Sequence, residues 1–339
     1  MSGAPHPEAP VAVLGAGSWG TALAVQFARG GRPVRLWGRD RAQLEAMAAA
    51  RLNERYLPGT RFPDSLALQP DLAYALEGAR DVLVVVPSAA LRALLTELAP
   101  RLGAGQQVCW ATKGFEAGTG KLPHQVAREV LGPARPVAVL SGPTFAREVG
   151  AGLPTLMTIA SSDARYARAL AQDLSSANFR AYLSADILGV EIGGAVKNAL
   201  AVGAGLSDGL GFGANTRIAL ITRGLREMTR LGVALGAQAE TFMGLAGLGD
   251  LVLTCTDDQS RNRRFGLLLA GGLTPQEALA RIGQAVEGYA AAREIRAVAA
   301  RAGVEMPLCE MGYRVLFEGL PAKEAVRALM NRPVRSEAE

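Results

Sequence analysis

The stretch Val11–Asp40, VAVLGAGSWGTALAVQFARGGRPVRLWGRD, decides the fold because it reads as one complete phosphate-binding unit. The apolar run Val11–Leu14 has the length of a strand, and the glycine pattern GAGSWG of Gly15–Gly20 follows it directly. Thr21–Ala28 then has helical composition, and a second apolar run, Val34–Trp37, completes the unit. A strand, a GxGxxG turn, a helix and a second strand in this order predict a dinucleotide-binding Rossmann-type sheet.

Each of the three glycines has a physical task in this interpretation. Gly15 allows a tight turn, Gly17 allows a pyrophosphate to approach the backbone, and Gly20 allows the helix to pack against the strand. The helix that begins here directs unpaired N–H groups and the positive end of its dipole at the phosphates.

The end of the second strand bears on the choice of cofactor. A carboxylate at this place usually binds the ribose 2′-hydroxyl of NADH, whereas an arginine can pair with the 2′-phosphate of NADPH. Arg39 lies at roughly this position, which favours NADPH. The neighbouring Asp40 keeps NADH open, and Arg39 as an ordinary solvated loop residue is the alternative interpretation.

Length and composition narrow the class of protein. A chain of 339 residues predicts two domains with sizeable cores. The chain has no unbroken apolar stretch of about 18 residues, so we expect no membrane insertion. Met1–Pro10 lacks the basic and apolar regions of a signal peptide and is predicted to be a floppy lead-in.

Cysteine usage and charge exclude further classes. Cys109, Cys255 and Cys309 are far apart and odd in number, which predicts neither a disulfide framework nor a metal site and fits a reducing cytoplasm. The net charge of +5 is spread along the chain without a basic block. We therefore expect no nucleic-acid partner, although a basic balance suits an anionic substrate.

Histidine and lysine are both scarce. The histidines are His6 and His124, which leaves little for a catalytic relay built on histidine and a carboxylate. The 36 basic residues include only four lysines, which leaves 32 arginines. Lysine can donate a proton near neutral pH and arginine cannot, so a lysine retained at a glycine-rich site is a candidate acid. Lys113 and Lys197 lie at such sites.

Further apolar runs of strand length follow the first two, at Asp81–Val86, Gln107–Ala111 and Pro136–Leu140. Helical patterns separate most of them, which predicts an α/β fold with a doubly wound parallel sheet over residues 1–190. From residue 191 to 339 the strand signals disappear, and an all-α C-terminal domain is predicted there.

Polar and glycine-containing segments follow three of these runs. They are Pro87-Ser88, Thr112–Gly114 and Ser141–Thr144. Because ligands bind at the carboxyl ends of parallel strands, we expect these segments to face cofactor or substrate.

Three clusters in the second half are candidates for chemistry. If Glu191–Asn198 (EIGGAVKN) is helical, Lys197 shares a face with small residues, although a snorkelling surface lysine is the alternative. Gly244–Leu251 (GLAGLGDL) is dense in glycine, and close helix packing does not explain its Asp250. Ser260–Asn262 supplies hydroxyl, guanidinium and amide donors that suit a phosphate monoester, and a solvated loop with a basic run is the alternative interpretation.

Several of these stretches together resemble bacterial NAD(P)-dependent glycerol-3-phosphate dehydrogenases. The similarity runs from about Val11 to Pro321, and its carriers are GAGSWGTALA, VPS, TKGFE, SGPTFAREV, IGGAVKNALA, TFMGLAGLGDLVLTCT, SRNRRFG and VEGYA. The resemblance implies reversible reduction of dihydroxyacetone phosphate to sn-glycerol 3-phosphate with NADP(H) preferred and NAD(H) allowed. It also implies a supply of this product for phospholipid synthesis.

The resemblance further implies a role for individual residues. Lys197 is the expected proton-transfer residue. The residues expected to bind substrate are Lys113, Gly142, Thr144, Lys197, Asp250, Ser260, Arg261 and Asn262. The residues expected to bind cofactor are Gly15, Gly17, Ser18, Trp19, Gly20, Arg39, Tyr56, Lys113, Ala146, Arg261, Val286 and Glu287.

Two other functions compete with this one. A sister dehydrogenase acting on another small anionic hydroxy or keto substrate shares the architecture, but the Ser260–Asn262 cluster suits a small phosphate monoester better. A non-catalytic NADPH sensor explains the glycine turn but not Lys113, Lys197 and Asp250 together. The sequence leaves the oligomeric state open, with a homodimer among the candidates.

Overall fold

The computed structural model describes residues 9–333 and residue 336. The chain divides into two compact units. The first runs up to Glu116 and resumes from Lys121 to Glu191, and the second comprises Ala117–Gly120 and the chain from Ile192 onward. The predicted floppy lead-in Met1–Pro10 lies outside the described residues, apart from its last two.

The first unit is built on one large sheet with a separate two-stranded hairpin. Its strands are β1 (Val11–Leu14), β2 (Val34–Trp37), β3 (Leu52–Asn53), β4 (Leu57–Arg61), β5 (Leu66–Gln69), β6 (Asp81–Val84), β7 (Gln107–Trp110), β8 (Val137–Ser141), β9 (Thr155–Ser161) and β10 (Phe179–Ser184). The large sheet has the order β10-β9-β8-β7-β6-β1-β2-β5, and β3 pairs with β4 in the hairpin.

The predicted doubly wound sheet is confirmed, with one departure from purely parallel pairing. Strands β8, β7, β6, β1, β2 and β5 pair in parallel, but β9 pairs antiparallel to β8, and β10 follows β9. Strand β9 was not predicted, because Thr and Ser interrupt its sequence TLMTIAS. Strand β10 was not predicted either; it is an edge strand in which three of the six residues are exposed.

Helices connect most of these strands. They are α1 (Ser18–Arg29), α2 (Arg41–Ala50), α3 (Leu72–Leu76), α4 (Ser88–Leu98), α5 (Pro123–Leu131), α6 (Ala146–Ala151) and α7 (Ala164–Leu174). The buried apolar core of this unit joins β1 and β2 to α1, whose residues from Gly20 to Ala28 are all buried. The turn between β1 and α1 is thereby fixed at both of its ends.

The described residues of the second unit form helices and connecting loops with no strand, as predicted. Helix α8 (Ile187–Gly209) begins in the first unit and continues into the second. It is followed by α9 (Ala214–Ala234), α10 (Asp250–Thr256), α11 (Arg261–Ala270), α12 (Pro275–Ile282), α13 (Glu287–Ala302), α14 (Pro307–Phe317) and α15 (Ala322–Met330). A 3₁₀ segment, Ala239–Met243, and a π-helical turn, Leu245–Gly249, precede α10.

Local sequence explains several of these boundaries. Thr274 and Glu277 form a capping box at the start of α12, and Gly283 ends it in the left-handed conformation. Gly303 ends α13 in the same way.

Among the described residues, α8 is the one helix long and apolar enough to cross a bilayer. In its most apolar 18-residue window, 78% of the residues are buried inside the protein. Core helices of water-soluble proteins have the same character.

Candidate active site

The three glycines of the turn in the first unit differ in the space around them. Gly15 has φ +128°, and a Cβ there would lie 2.2 Å from the Val85 carbonyl oxygen. A Cβ on Gly20 would lie 1.9 Å from the Gly15 carbonyl oxygen. Gly17, in contrast, is exposed and has nothing within 4 Å of such a Cβ. The protein's own packing therefore requires glycine at two positions, and the third faces open space.

Backbone groups at the start of α1 are placed to bind an anion. Gly17 is the N-cap residue, and no side chain caps the helix. The first N–H groups of a helix have no partner within the helix, and the positive end of its dipole adds to their attraction for phosphate oxygens. The turn thus fits a dinucleotide pyrophosphate.

Residues distant in sequence form hydrogen bonds with this turn. Asn53 is fully buried, and its amide donates to the Ala16 carbonyl at 3.1 Å and to the Thr21 hydroxyl at 2.8 Å. The Ser18 hydroxyl donates to the Tyr56 carbonyl at 2.7 Å, which brings Tyr56 beside the turn. Asn53 was not predicted, because no local pattern marks a contact between residues more than 30 positions apart.

The two charged residues after β2 have different surroundings. Asp40 is the N-cap of α2, and its carboxylate accepts from the Gln43 N–H at 3.0 Å. Arg39 is exposed. Trp19, also expected at the cofactor, is half-buried and packs partly against the apolar core.

The remaining candidates of the first unit lie at the carboxyl ends of its central strands. Lys113 is half-buried and follows β7, while Gly142 follows β8 with φ +152° and leaves only 3.0 Å between a Cβ and the Met157 Cα. Thr144 donates to the Gly142 carbonyl at 3.2 Å, and Ala146 begins α6. Since β1, β6, β7 and β8 are parallel neighbours, these residues share one sheet edge with the glycine turn.

In the second unit the structure brings together two residues that are far apart in sequence. The Lys197 ammonium donates to the Asp250 carboxylate at 2.6 Å and to the Thr254 hydroxyl at 2.8 Å. Thr254 in turn donates to the Asp250 carbonyl at 2.6 Å. Lys197 is 7% exposed and Asp250 is 2% exposed, so this is a buried ion pair with additional hydrogen bonds.

Glycines explain how the pair forms. A Cβ on Gly193, one turn before Lys197 on α8, would lie 2.3 Å from the Ala246 carbonyl oxygen. The π-helical turn therefore lies directly on α8, and α10 begins at Asp250 immediately after it. The close packing of Gly193 against the π-helical turn therefore accounts for the glycines of this stretch and also places Asp250 beside α8.

An amide network extends from Asn198, the residue after Lys197, to two further helices. The Asn198 amide donates to the Glu287 carboxylate at 2.8 Å and accepts from the Asn262 amide at 2.9 Å. The Asn262 oxygen accepts from the Gly288 N–H at 2.9 Å. This network holds the starts of α11 and α13 beside α8. Asn198 and Thr254 had no role in the sequence analysis, although both lie inside stretches that carried the resemblance.

The polar residues at the start of α11 have different contacts and therefore different roles. Ser260 is the N-cap and accepts from the Arg263 N–H at 3.2 Å. Arg263 is buried and paired with Asp208 at 2.8 Å, so it is not available to a ligand. Arg261 is only partly buried and has a long contact of 3.4 Å to Gln284. Of these arginines, Arg261 is the one able to reach a ligand at this helix start.

The surroundings of the ion pair favour acid chemistry over thiol chemistry. Burial raises the pKa of the Cys255 thiol to about 12, so this neighbour of Thr254 stays neutral.

Val286 is buried as the N-cap residue of α13, with Glu287 following it. Over residues 9–333 and 336, no three His, Cys, Asp or Glu side chains form a group that could hold a metal ion.

Comparisons with known proteins agree over nearly the whole chain. Sequence models of the NAD-dependent glycerol-3-phosphate dehydrogenase N-terminus and C-terminus match residues 10–167 and 186–327. The chain is 56% identical over 332 residues to glycerol-3-phosphate dehydrogenase [NAD(P)+] of Edwardsiella ictaluri, covering 98% of each chain. It is 56% identical over 330 residues to the enzyme of the same name from Yersinia pestis, covering 97% of each.

Its structure is similar to the crystal structure of glycerol-3-phosphate dehydrogenase from Coxiella burnetii. The TM-score is 0.93 at 47% sequence identity, with 96% of this chain and 99% of that chain covered.

Proposed function

Because the chain belongs to the NAD-dependent glycerol-3-phosphate dehydrogenase family, we propose that it reduces dihydroxyacetone phosphate to sn-glycerol 3-phosphate, reversibly, with Lys197 as the general acid and base. The observation that carries the proposal is the buried contact between the Lys197 ammonium and the Asp250 carboxylate at 2.6 Å. A nicotinamide cofactor supplies the hydride that reduces the substrate carbonyl.

Lys197 handles the proton that accompanies the hydride. As the carbonyl carbon is reduced, its oxygen becomes alkoxide-like and needs stabilisation followed by protonation. The Lys197 ammonium can do both, and the Asp250 carboxylate lies 2.6 Å from it as a counter-charge in a buried place. In the reverse direction a neutral Lys197 accepts the proton from the hydroxyl of glycerol 3-phosphate. General acid catalysis of this kind contributes typically about 10²–10⁴-fold.

Arg261 and the start of α11 are our candidates for the substrate phosphate. A guanidinium can bind two phosphate oxygens at once, and the free N–H groups of the first helical turn add donors. Ser260 and Asn262 support this place chiefly through the cap and the amide network, because their side chains already have partners. Lys113 is proposed to add positive charge, as the resemblance implies.

We propose NADPH as the preferred cofactor and NADH as an alternative. Arg39 and Asp40 are both exposed, but the Asp40 carboxylate is engaged as the cap of α2, so the Arg39 guanidinium is our candidate for contact with the cofactor. An exposed guanidinium at this position can pair with the 2′-phosphate that only NADPH carries. Gly15, Gly17 and Gly20 are proposed to bind the pyrophosphate, with Ser18, Trp19, Tyr56 and Ala146 around them.

We also propose that the protein works in a reducing compartment such as the cytoplasm. Cys109, Cys255 and Cys309 are all buried free thiols. A reducing environment keeps such thiols unpaired.

The proposal is tested by mixing the purified chain with NADPH and dihydroxyacetone phosphate and following the loss of NADPH absorbance. We expect rapid oxidation, a slower rate with NADH, and no turnover of dihydroxyacetone without its phosphate. Folded protein that binds NADPH but fails to oxidise it with any substrate tested would indicate a sensor. Turnover of a ketopantoate-like acid in place of the phosphate ester would indicate a sister dehydrogenase.

A further inference from the structure

The second unit contains an apolar cavity for which the proposed chemistry has no use. Its volume is about 430 Å³, and α8, α9, α14 and α15 supply its walls. Aliphatic side chains dominate these walls, among them Leu200, Leu206, Leu220, Val315 and Leu329. The volume lies in the range of small-molecule sites, roughly 300–1,000 Å³.

Two arginines on α9 give this cavity a positive edge. Arg223 and Arg230 both line it, and seven residues of helix place them about 10 Å apart on one face. Neither forms a hydrogen bond or an ion pair with any residue in the described part of the chain. Arg332 also lines the cavity but is paired with Glu305 at 3.3 Å.

Among the described residues that line the cavity, Glu227 is the one carboxylate, and it forms no direct contact with these arginines. Glu227 is 3% exposed, and its oxygens accept from the backbone N–H groups of Leu308 at 2.7 Å and Cys309 at 3.2 Å. It therefore serves as the cap of α14. Arg230 attracts the Glu227 carboxylate electrostatically, but the two arginines outnumber this carboxylate, so the described lining residues present a net positive charge.

A glycine inside α14 keeps one wall open. Gly312 lines the cavity in the middle of this helix, where glycine is unfavourable compared with alanine. A Cβ at Gly312 would have no atom within 4 Å, so no close backbone contact requires the glycine. Its consequence is space inside the cavity.

We propose that this cavity binds a single-chain fatty-acid anion, with the alkyl chain among the aliphatic walls and the carboxylate at Arg223 and Arg230. An apolar cavity with a few charged groups at its edge matches both ends of such a ligand. A second copy of the chain is the less favourable occupant, because it would bring the same positive edge with it. The proposal does not rest on the dehydrogenase activity.

The test is equilibrium dialysis of the full chain against labelled dodecanoate below its micelle concentration, with dodecanol as the uncharged probe. We expect saturable binding of one dodecanoate per chain. The double variant Arg223→Ala/Arg230→Ala should weaken dodecanoate binding at least about tenfold, as loss of a charge-assisted hydrogen bond does, and dodecanol binding by less than about twofold. Gly312→Leu should abolish binding of both probes, because its side chain fills the cavity.

Arg168→Ala is the matched control, since Arg168 is an exposed arginine within α7 of the other unit. It should leave both affinities unchanged. The proposal is overturned if the wild type shows no saturable binding, if Arg168→Ala weakens dodecanoate as much as the double variant, or if Gly312→Leu binds normally. Sedimentation in parallel identifies the rival occupant: dissociation of an oligomer by Gly312→Leu, with no dodecanoate bound by the wild type, assigns the cavity to a second copy.

Discussion

The two units prepare their sites by different means. In the first unit backbone groups form the proposed site. Gly15 and Gly20 shape a turn that exposes the N–H groups of α1, and no charged side chain is buried in the turn itself. In the second unit buried charged side chains do it, because Lys197 and Asp250 meet across 53 residues of sequence. A site formed by backbone groups can be recognised from a short local motif in the sequence. A site formed by side chains from distant positions exists only after the helices have packed.

The largest effect should come from removing the ammonium of the second unit. We expect Lys197→Ala to lower kcat by about 10²–10⁴-fold, because the forming alkoxide loses its proton donor. The Kd for NADPH should change little, because the glycine turn that is proposed to bind it belongs to the other unit. Steady-state kinetics and a cofactor titration test both statements, and near-normal turnover would remove Lys197 from its role.

This variant also leaves the Asp250 carboxylate buried without its partner, which typically costs about 3–5 kcal/mol of stability. A double variant, Lys197→Met/Asp250→Asn, removes both charges and should recover much of the free energy of unfolding while kcat stays low. Recovery of activity together with stability would show that Lys197 acts only through folding. Lys323→Ala, at an exposed lysine of α15, is the control.

A second buried charge sharpens the comparison, since Glu227 belongs to the same unit but not to the proposed site. Burial raises the pKa of Glu227 to about 7. The folded state therefore binds this proton more tightly than the unfolded chain. The resulting stability is present below pH 4.5, the ordinary value, and is lost as the pH rises towards 7.

The shift from 4.5 to about 7 corresponds to at most about 3 kcal/mol. We expect Glu227→Gln to gain up to this amount relative to the wild type between pH 4.5 and 8, because glutamine has no proton to lose. Urea unfolding across that range measures the difference. A constant difference between variant and wild type would mean that Glu227 does not titrate there.

Within the glycine turn, two substitutions separate folding from binding. Gly15→Ala puts a Cβ 2.2 Å from the Val85 oxygen at φ +128°, and we expect a loss of about 1–3 kcal/mol in the free energy of unfolding. Gly17→Ala meets nothing within 4 Å and should change stability by less than about 0.5 kcal/mol. It should still weaken NADPH at least about tenfold, which is about 1.4 kcal/mol, by keeping the pyrophosphate from the backbone. Normal NADPH affinity in Gly17→Ala would contradict the proposed place of the phosphates.

The same contrast explains what could be predicted from the sequence. The turn, its two strands and the helical second unit follow from local patterns, and the fold confirms them. Strand β9 was not predicted, because Thr and Ser interrupt its apolar sequence, and its antiparallel pairing with β8 depends on a neighbour. Lys197 and Asp250 were named separately, but their contact depends on the close approach of Gly193 to Ala246, which sequence alone does not contain. Asn53, Asn198 and Thr254 were missed for the same reason.

The smallest effect tests the one place where the first unit is proposed to use a side chain for specificity. Arg39→Ala should weaken NADPH by about tenfold, since loss of one charge-assisted contact at an exposed site costs roughly 1.4 kcal/mol. NADH, which lacks the 2′-phosphate, should be affected by less than about twofold. The NADPH effect should shrink in high salt, because exposed charges are screened.

Asp40→Asn provides the control, because asparagine can cap α2 as well as aspartate does. If Asp40 serves only as that cap, this variant keeps both affinities. A selective loss of NADH in Asp40→Asn, with equal losses of both cofactors in Arg39→Ala, would mean that Asp40 binds the ribose and that Arg39 does not distinguish the two cofactors. The first unit would then choose its cofactor through a carboxylate.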